Sequence, residues 1–406
     1  MKATATVHEH VSAADEALRE LFGEPEGVPD PYPLYHRIRE LAPIYRSEVD
    51  GAWYVSRFED CRALLNDLRC GRDLDRPNPS LAFRSRPMEA QIQGSFRSLL
   101  IVTNPPEHTR LRAAVNEAFT WRRIQTLEPR IAELADQRLD VLAEKGDADI
   151  VADLAFPLPV AVIGELVGVP PDEREQFRDL VIARLVGSEQ AAGTAATLEG
   201  YFGDLVARRR ARPLDDMVSA LVTAPEPGRL SDEEIVAMAM IVFLAGFLTT
   251  TNLIGNGLVA LLERPDELER VRRDPSLVPS AVQEMLRFDP AIQAVGRAVL
   301  QPTELAGQPL PAGETVICLI AGANRDPARF PDPDRFDAGR SDGPPLSFGW
   351  GIHHCLGSVL ASLEGKVVFE RMLRRFPTIA LREDDPPVRA SFLRGWARLP
   401  VRVRDQ

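Results

Sequence analysis

Residues 347–357 read SFGWGIHHCLG. Gly349 and Gly351 flank Trp350 and permit a tight loop whose backbone can lie close to a ligand. Cys355 follows, and beyond it apolar residues recur at positions 356, 359, 360, 363 and 367, the stripe of a helix. Cys355 therefore stands where a helix begins, and the helix dipole and its free amides favour a thiolate over a thiol. A thiolate held by amide donors in a glycine loop is what a haem iron requires of a proximal ligand. The alternative for a lone cysteine is a small buried hydrophobe. That reading is kept for Cys61, Cys70 and Cys318, whose spacings match no zinc motif and include no C-x-x-C pair.

Composition sets the outer bounds. The chain has 406 residues, 45% hydrophobic and 27% charged, the make-up of a soluble globular protein large enough to enclose a cofactor. Four cysteines in such a length exclude a disulfide scaffold and suit reduced thiols in a cytoplasmic protein. A net charge of −12 argues against nucleic acid or an anionic membrane as a partner. The N-terminus, MKATATVHEHVSAADEALRE, is acidic and lacks an apolar core, so no signal peptide is expected. TAPEPGRL (223–230) is the nearest approach to a linker and is too short to separate domains.

A second stretch needs explaining. Residues 235–262 carry no charge and are long enough to cross a membrane. The run opens on LSDEEI, a capping box with Ser231 as N-cap and Glu234 at N3, which is how a helix starts in water. Pro265 stops it, and no positive-inside bias flanks it. The better reading is a helix buried through the middle of a large domain. At its centre Gly246, Thr249 and Thr250 share a face. They suit either a small polar notch over a cavity or a helix–helix contact that needs small residues, and this segment alone leaves the two even.

At this point the loop is decisive. FGWGIHHCLG resembles the haem-binding loop of the cytochrome P450 family, F-G-x-G-x-H-x-C-x-G, with Phe348, Gly349, Gly351, His353, Cys355 and Gly357 at every fixed position. Trp350 stands where the bacterial branch often has histidine. EMLR (284–287) is similar to the family's E-x-x-R, and FPDPDRFD supplies Arg335, so Glu284, Arg287 and Arg335 are expected to form a triad bracing the loop. The resemblance further implies haem b ligated by Cys355, with its propionates held by His108, Arg112, Arg297 and His353. The uncharged helix is similar to the family's distal helix: Ala245, Gly246, Thr249 and Thr250 match its motif and imply a dioxygen site. Leu248 departs from it, standing where the family usually has Asp or Glu. Ordered water with Thr250 or Asn252, a polar group of the substrate, or a reaction needing less proton delivery would each account for the departure.

The resemblance covers about Tyr32 to Val403 and implies a mainly α fold with small β-sheets, one compact haem-enclosing domain over 1–406, with residues 1–30 a loosely ordered segment. It implies a haem-thiolate monooxygenase that inserts one oxygen atom of O2 into a small, largely hydrophobic substrate in secondary metabolism. An oxidase for coupling, desaturation or decarboxylation and a non-enzymatic haem sensor are the alternatives. No reductase follows the last strands, so a separate ferredoxin and ferredoxin reductase are expected, with Arg110 and Arg122 as contacts for an acidic partner. Leu248, Ile292, Ala294, Val295, Phe392 and Leu393 are the expected pocket lining, together with the segments 77–100 and 180–194.

Overall fold

The computed structural model describes residues 2–23, 28–72, 100–174, 177, 194–226, 228–390 and 393–405. The candidate residue Phe392 and most of the two expected pocket segments lie outside them. Helices dominate. Those that matter for the site are, in chain order, α1 (Lys2–Gly23), α2 (Tyr32–Leu41), α3 (Phe58–Asn66), α4 (Glu107–Asn116), α5 (Glu128–Lys145), α6 (Pro157–Val167), α7 (Thr194–Ala211), α8 (Asp232–Leu262), α9 (Val278–Phe288) and α10 (Ser358–Arg375). Residues 1–30, expected as a loosely ordered segment, include α1, whose Ala14, Ala17 and Leu18 are fully buried on one stripe in a core shared with Tyr35 and Ile38 of α2.

The contacts gather the chain into two compact units built from discontinuous stretches. The first comprises Met1–Ala90, Gln283–Cys355 and Ser391–Arg394. Its centre is a five-stranded sheet of β1 (Ile44–Arg46), β2 (Trp53–Val55), β3 (Cys70–Gly71), β5 (Val295–Val299) and β8 (Thr315–Cys318), in the order β1-β2-β8-β5-β3. Only the β2–β8 pairing is parallel. β5 and β8 are rich in valine, isoleucine and threonine, which suit a pleated surface, and Val299, Val316 and Ile317 are buried on it. Cys61, Cys70 and Cys318 lie in the same core as free buried thiols, as the sequence predicts.

The second unit comprises Gln91–Val282, Leu356–Ala390 and Gly395–Gln406. α8 runs through it. The predicted capping box is present: Glu234 N–H donates to Ser231 Oγ at 3.2 Å, and Ser231 N–H to the Glu234 carboxylate at 2.8 Å. Among the described residues α8 is the one helix long and apolar enough to cross a membrane, yet Ile235–Met240 and Thr250–Leu261 are buried inside this unit. α6, α7 and α10 pack on it. Gly365 allows α10 to come close: a β-carbon there would meet Leu253 Cδ2 at 3.3 Å. β12 (Pro400–Arg404) pairs antiparallel with β4 (Asp147–Asp149) and β9 (Thr378–Leu381), which ties the C-terminal strand to the helices.

Candidate active site

The cysteine loop belongs to the first unit. Gly349 holds φ 68° and ψ −164°, a conformation essentially open only to glycine. Gly351 has φ 69°, and a β-carbon on it would run into Leu65 O of α3 and lie 3.2 Å from Asn66 Cα. These two positions turn the chain back, so that Cys355 N–H donates to Phe348 O at 2.8 Å. Cys355 itself is partly exposed, unlike the other three cysteines. The guanidinium carbon of Arg62 lies 5.7 Å from the Trp350 ring centre.

The loop is braced from α9 through buried charge. Glu284 is 1% exposed and accepts from Arg287 Nε at 2.7 Å and Arg287 Nη2 at 2.8 Å. Arg287 Nη1 donates to the carbonyls of Asn324 (2.9 Å) and Pro333 (2.8 Å). Asn324 carries the brace on: Leu346 N–H donates to its Oδ1 at 2.7 Å and its Nδ2 donates to Ser347 Oγ at 2.8 Å. Ser347 Oγ in turn donates to Leu286 O at 2.6 Å, and Phe348, which accepts the Cys355 amide, is next in the chain. Sequence reading missed Asn324 and Ser347, which carry no spacing signal of their own.

The third member of the triad is corrected. Arg335 contributes only its carbonyl, which accepts from Arg287 Nη2 at 3.3 Å; its side chain is exposed. Arg340 is the side chain that reaches Glu284, with Nε at 3.2 Å. The backbone explains the exchange: Asp332 adopts φ 47° and Arg335 N–H closes a turn on Asp332 O, while Asp337 N–H donates to Glu284 at 2.9 Å and brings the Arg340 turn inward.

The expected propionate contacts fall in both units. In the first, Arg297 on β5 is 5% exposed, and burial lowers its pKa. Among the described residues no carboxylate pairs with it, and Nη1 donates to the carbonyl of Gly296. His353 is half-buried in the cysteine loop. In the second unit His108 and Arg112 lie one turn apart on α4; burial, then the Arg112 charge, lowers the imidazole pKa. Arg112 Nε donates to Asn116 Oδ1 at 3.3 Å.

On α8 the burial breaks at one place. Ala245 is exposed, and Ile241, Leu244, Gly246, Leu248 and Thr249 are half-buried, between the buried stretches Ile235–Met240 and Thr250–Leu261. Thr249 Oγ1 donates to Ala245 O at 3.2 Å, Thr250 to Gly246 O at 3.1 Å and Thr251 to Phe247 O at 2.9 Å. Three consecutive back-bonds of this kind spread the helix carbonyls and loosen the turn. Gly246 abuts α6: a β-carbon there would stand 2.5 Å from Ile163 Cγ1 and 3.2 Å from Ile163 Cβ. Of the two readings the sequence left even, the helix contact is therefore present. Asn252 faces Gly395, where no side chain would fit beside it, so it packs against backbone.

The remaining candidates divide. Ile292, Ala294, Val295 and Leu393 are half-buried, Ala294 and Val295 packed against two core clusters. Arg122 is exposed, and Arg110 is held by Glu107 and Glu234, so its charge is already matched within the protein. Glu364 on α10 escaped sequence reading altogether. It is 1% exposed, makes no hydrogen bond among the described residues, and burial pushes its pKa well above the usual carboxylate range.

The arrangement fits a haem on its own chemistry. It offers a partly exposed sulfur on a glycine-built turn and a buried guanidinium without a carboxylate, which suits an anionic propionate. The class so defined is the haem-thiolate oxidoreductases. The comparisons narrow it: residues 203–400 match the family model "Cytochrome P450". The chain is 39% identical over 386 residues to cytochrome P450 107B1 of Saccharopolyspora erythraea, covering 92% of this chain and 95% of that one. It is 38% identical over 390 residues to 6-deoxyerythronolide B hydroxylase of the same organism, covering 92% and 96%. Among solved structures, P450BioI in complex with an acyl carrier protein ligated by hexadec-9Z-enoic acid matches with a TM-score of 0.84 at 33% identity, over 92% of this chain and 98% of that one. The chain belongs to the cytochrome P450 family. It is an oxidoreductase of the monooxygenase type, and its cofactor is haem b held by a cysteine thiolate.

Proposed function

We propose that Cys355 is that thiolate and that the enzyme inserts one oxygen atom of O2 into a small, largely hydrophobic substrate in bacterial secondary metabolism, by hydroxylation or epoxidation. The observation that carries the assignment is the Gly349–Gly351 turn, which leaves Cys355 partly exposed while the other cysteines are buried. When bound, the haem activates dioxygen, with the thiolate pushing electron density toward the iron. The chain's own residues do the rest. The amide-braced loop fixes the sulfur; His108, Arg112, Arg297 and His353 hold the propionates; the loosened turn at Ala245, Gly246, Thr249 and Thr250 serves the dioxygen, Thr249 orienting protons through its hydroxyl. Leu248, Ile292, Ala294, Val295 and Leu393 supply apolar lining, in keeping with a relative whose name is 6-deoxyerythronolide B hydroxylase. One fold over 1–406, a cytoplasmic location and electrons from a ferredoxin and its reductase complete the reading.

Leu248 is the one observation that favours a second reading, oxidation without oxygen insertion, because a leucine carries no proton. Product analysis under isotopically labelled dioxygen, after a binding screen read by the haem spin-state shift, separates the two. One labelled atom in the product supports insertion; coupled or desaturated product without label supports the second reading. Cys355→Ser should abolish the thiolate-type spectrum of the reduced carbon monoxide complex. An unchanged spectrum would overturn the assignment.

A further inference from the structure

The chain that leads into the cysteine loop hangs on one side chain. Asn324 ends the short helix Ile320–Ala323 and is fully buried. Both ends of its amide are used. Oδ1 accepts from Leu346 N–H at 2.7 Å, and Nδ2 donates to Ser347 Oγ at 2.8 Å. This orientation is forced, because a backbone N–H can only donate and must face the oxygen. The serine hydroxyl, already accepting from the amide nitrogen, gives its single proton to Leu286 O of α9 at 2.6 Å. Asn324, Ser347 and α9 thus form a relay that runs in one direction. Arg287 Nη1 donates to the Asn324 carbonyl at 2.9 Å and fixes the backbone at its start. The relay stops one residue short of Phe348, whose carbonyl accepts the Cys355 amide at 2.8 Å. Beyond Phe348, Gly351 is wedged against Leu65 O and Asn66 Cα of α3. Residues 346 and 347 are therefore pinned by hydrogen bonds and residue 351 by packing. The Phe348 carbonyl between them is held in one direction, and the Cys355 backbone follows it.

Electron donation by a metal-bound thiolate depends on the hydrogen bonds and burial around its sulfur. Such surroundings need placement to about 0.5 Å, which supporting hydrogen bonds supply. Among the described residues Asn324 is the one side chain bonded to both Leu346 and Ser347. We propose that Asn324 is a positioning residue for the oxidation chemistry. Its amide acts through Ser347 and Phe348 to direct the Cys355 backbone, and so sets how strongly the thiolate donates to iron. Asn324 itself touches neither the sulfur nor the loop beyond Ser347. The inference rests on Cys355 being the haem thiolate, as proposed above. It differs from bracing in what it predicts: a brace adds stability alone, whereas a positioning residue also alters the electronic state of the iron.

The experiment compares the haem-loaded wild type with Asn324→Leu, Ser347→Ala and Ser347→Thr. Asn324→Leu keeps the shape of the side chain and loses both hydrogen bonds. Ser347→Ala breaks the relay at its middle, and Ser347→Thr keeps the hydroxyl. Three quantities are read: the ferric–ferrous potential, the rate at which the reduced carbon monoxide complex passes from its thiolate to its neutral-thiol spectrum, and the melting midpoint. A sulfur held loosely takes on water or further donors and gives less electron density, which raises the potential. Asn324→Leu and Ser347→Ala should change the electron-uptake equilibrium at least about threefold, which is about 28 mV at about 59 mV per tenfold for one electron. Their spectral conversion should run about tenfold faster, the usual scale for losing a group that orients a ligand. Ser347→Thr should match the wild type in both. Lower melting midpoints with unmoved potential and conversion rate would make the relay a brace only and overturn the proposal. Ser347→Thr moving as far as Ser347→Ala would overturn it as well, since the hydroxyl would then be irrelevant. Should Asn324→Leu not fold, the two Ser347 variants carry the comparison alone. A wild type without the thiolate spectrum fails the reading of Cys355, whereas a normal wild type with unmoved variants fails only the role of Asn324.

Discussion

Removing Arg335 should do almost nothing, and removing Arg340 should be felt. The two arginines flank the same irregular stretch, and a motif-level reading selects the first. Glu284 collects four donors: Arg287 Nε at 2.7 Å, Arg287 Nη2 at 2.8 Å, the Asp337 amide at 2.9 Å and Arg340 Nε at 3.2 Å. Glu284→Gln leaves Arg287 (2% exposed) without its anion and Arg340 (10% exposed) with Asp342 alone. Breaking a buried pair in this way costs about 3–5 kcal/mol. Arg340→Ala removes the buried charge-assisted bond to Glu284, and with it the bonds to Asp342 and to the carbonyls of Pro331, Asp332 and Arg335, while Glu284 and Arg287 stay paired, about 1.5–3 kcal/mol. Arg335→Ala keeps the only group it contributes, its carbonyl, and stays within about 0.5 kcal/mol. At roughly 2 °C per kcal/mol for a large domain, the midpoints should fall by about 6–10, 3–6 and at most 1 °C. The assay is thermal loss of helix circular dichroism and of haem absorbance at one fixed scan rate, because a cofactor-bound protein does not unfold in two states. Arg335→Ala matching Arg340→Ala would refute the brace as drawn.

Three further outcomes test other parts of the structure. Gly246→Val should destabilise by about 1–3 kcal/mol through its collision with Ile163, and adding Ile163→Ala should recover part of that loss; a purely additive double variant in thermal melts would contradict the helix contact. Leu248→Glu should keep haem binding but change product formed per electron pair consumed, measured as product against NADPH oxidised; an unchanged ratio would show that this position has no part in proton supply. Glu364 is held neutral by burial, so its folded pKa lies above its unfolded one. Stability from this group is then present below about pH 4.5 and falls as pH rises from there toward the folded pKa. Glu364→Gln should therefore raise the melting midpoint at pH 7 and lose that advantage near pH 4.5; a variant less stable than the wild type at pH 7 would mean the carboxylate is ionised and partnered.

What the sequence made legible was local. The cysteine loop is encoded in eleven consecutive letters, because glycine-only dihedrals, an amide acceptor and a helix start all fall within one turn of chain. The core helix was legible for a similar reason: its cap lies within four residues, and its lack of charge forces burial. What could not be read was partnership across the chain. Asn324 meets Ser347, Glu284 meets Arg340 and Gly246 meets Ile163, and in each case the meeting depends on where a turn releases the chain. Arg335 was chosen by pattern, and a backbone turn at Asp332 sent its side chain outward.

The first unit treats its buried positive charge in two opposite ways, and the contrast locates the binding chemistry. At Glu284 two guanidiniums share one carboxylate, Arg340 also pairs with Asp342, and backbone carbonyls take the spare donors, so charge and hydrogen bonds are both closed within the protein. Such a cluster can only hold structure. At Gly296 the buried guanidinium of Arg297 donates to a neutral carbonyl, and Arg297 has no described carboxylate to close its charge. Keeping a cation buried in that form is unfavourable in the protein alone and becomes favourable when an anion arrives from outside. An arrangement that is balanced internally is a brace, whereas one balanced only by a ligand is a site. The same reasoning separates Glu364 from both, since a lone buried acid can discharge itself by keeping its proton, an option that arginine at neutral pH does not have.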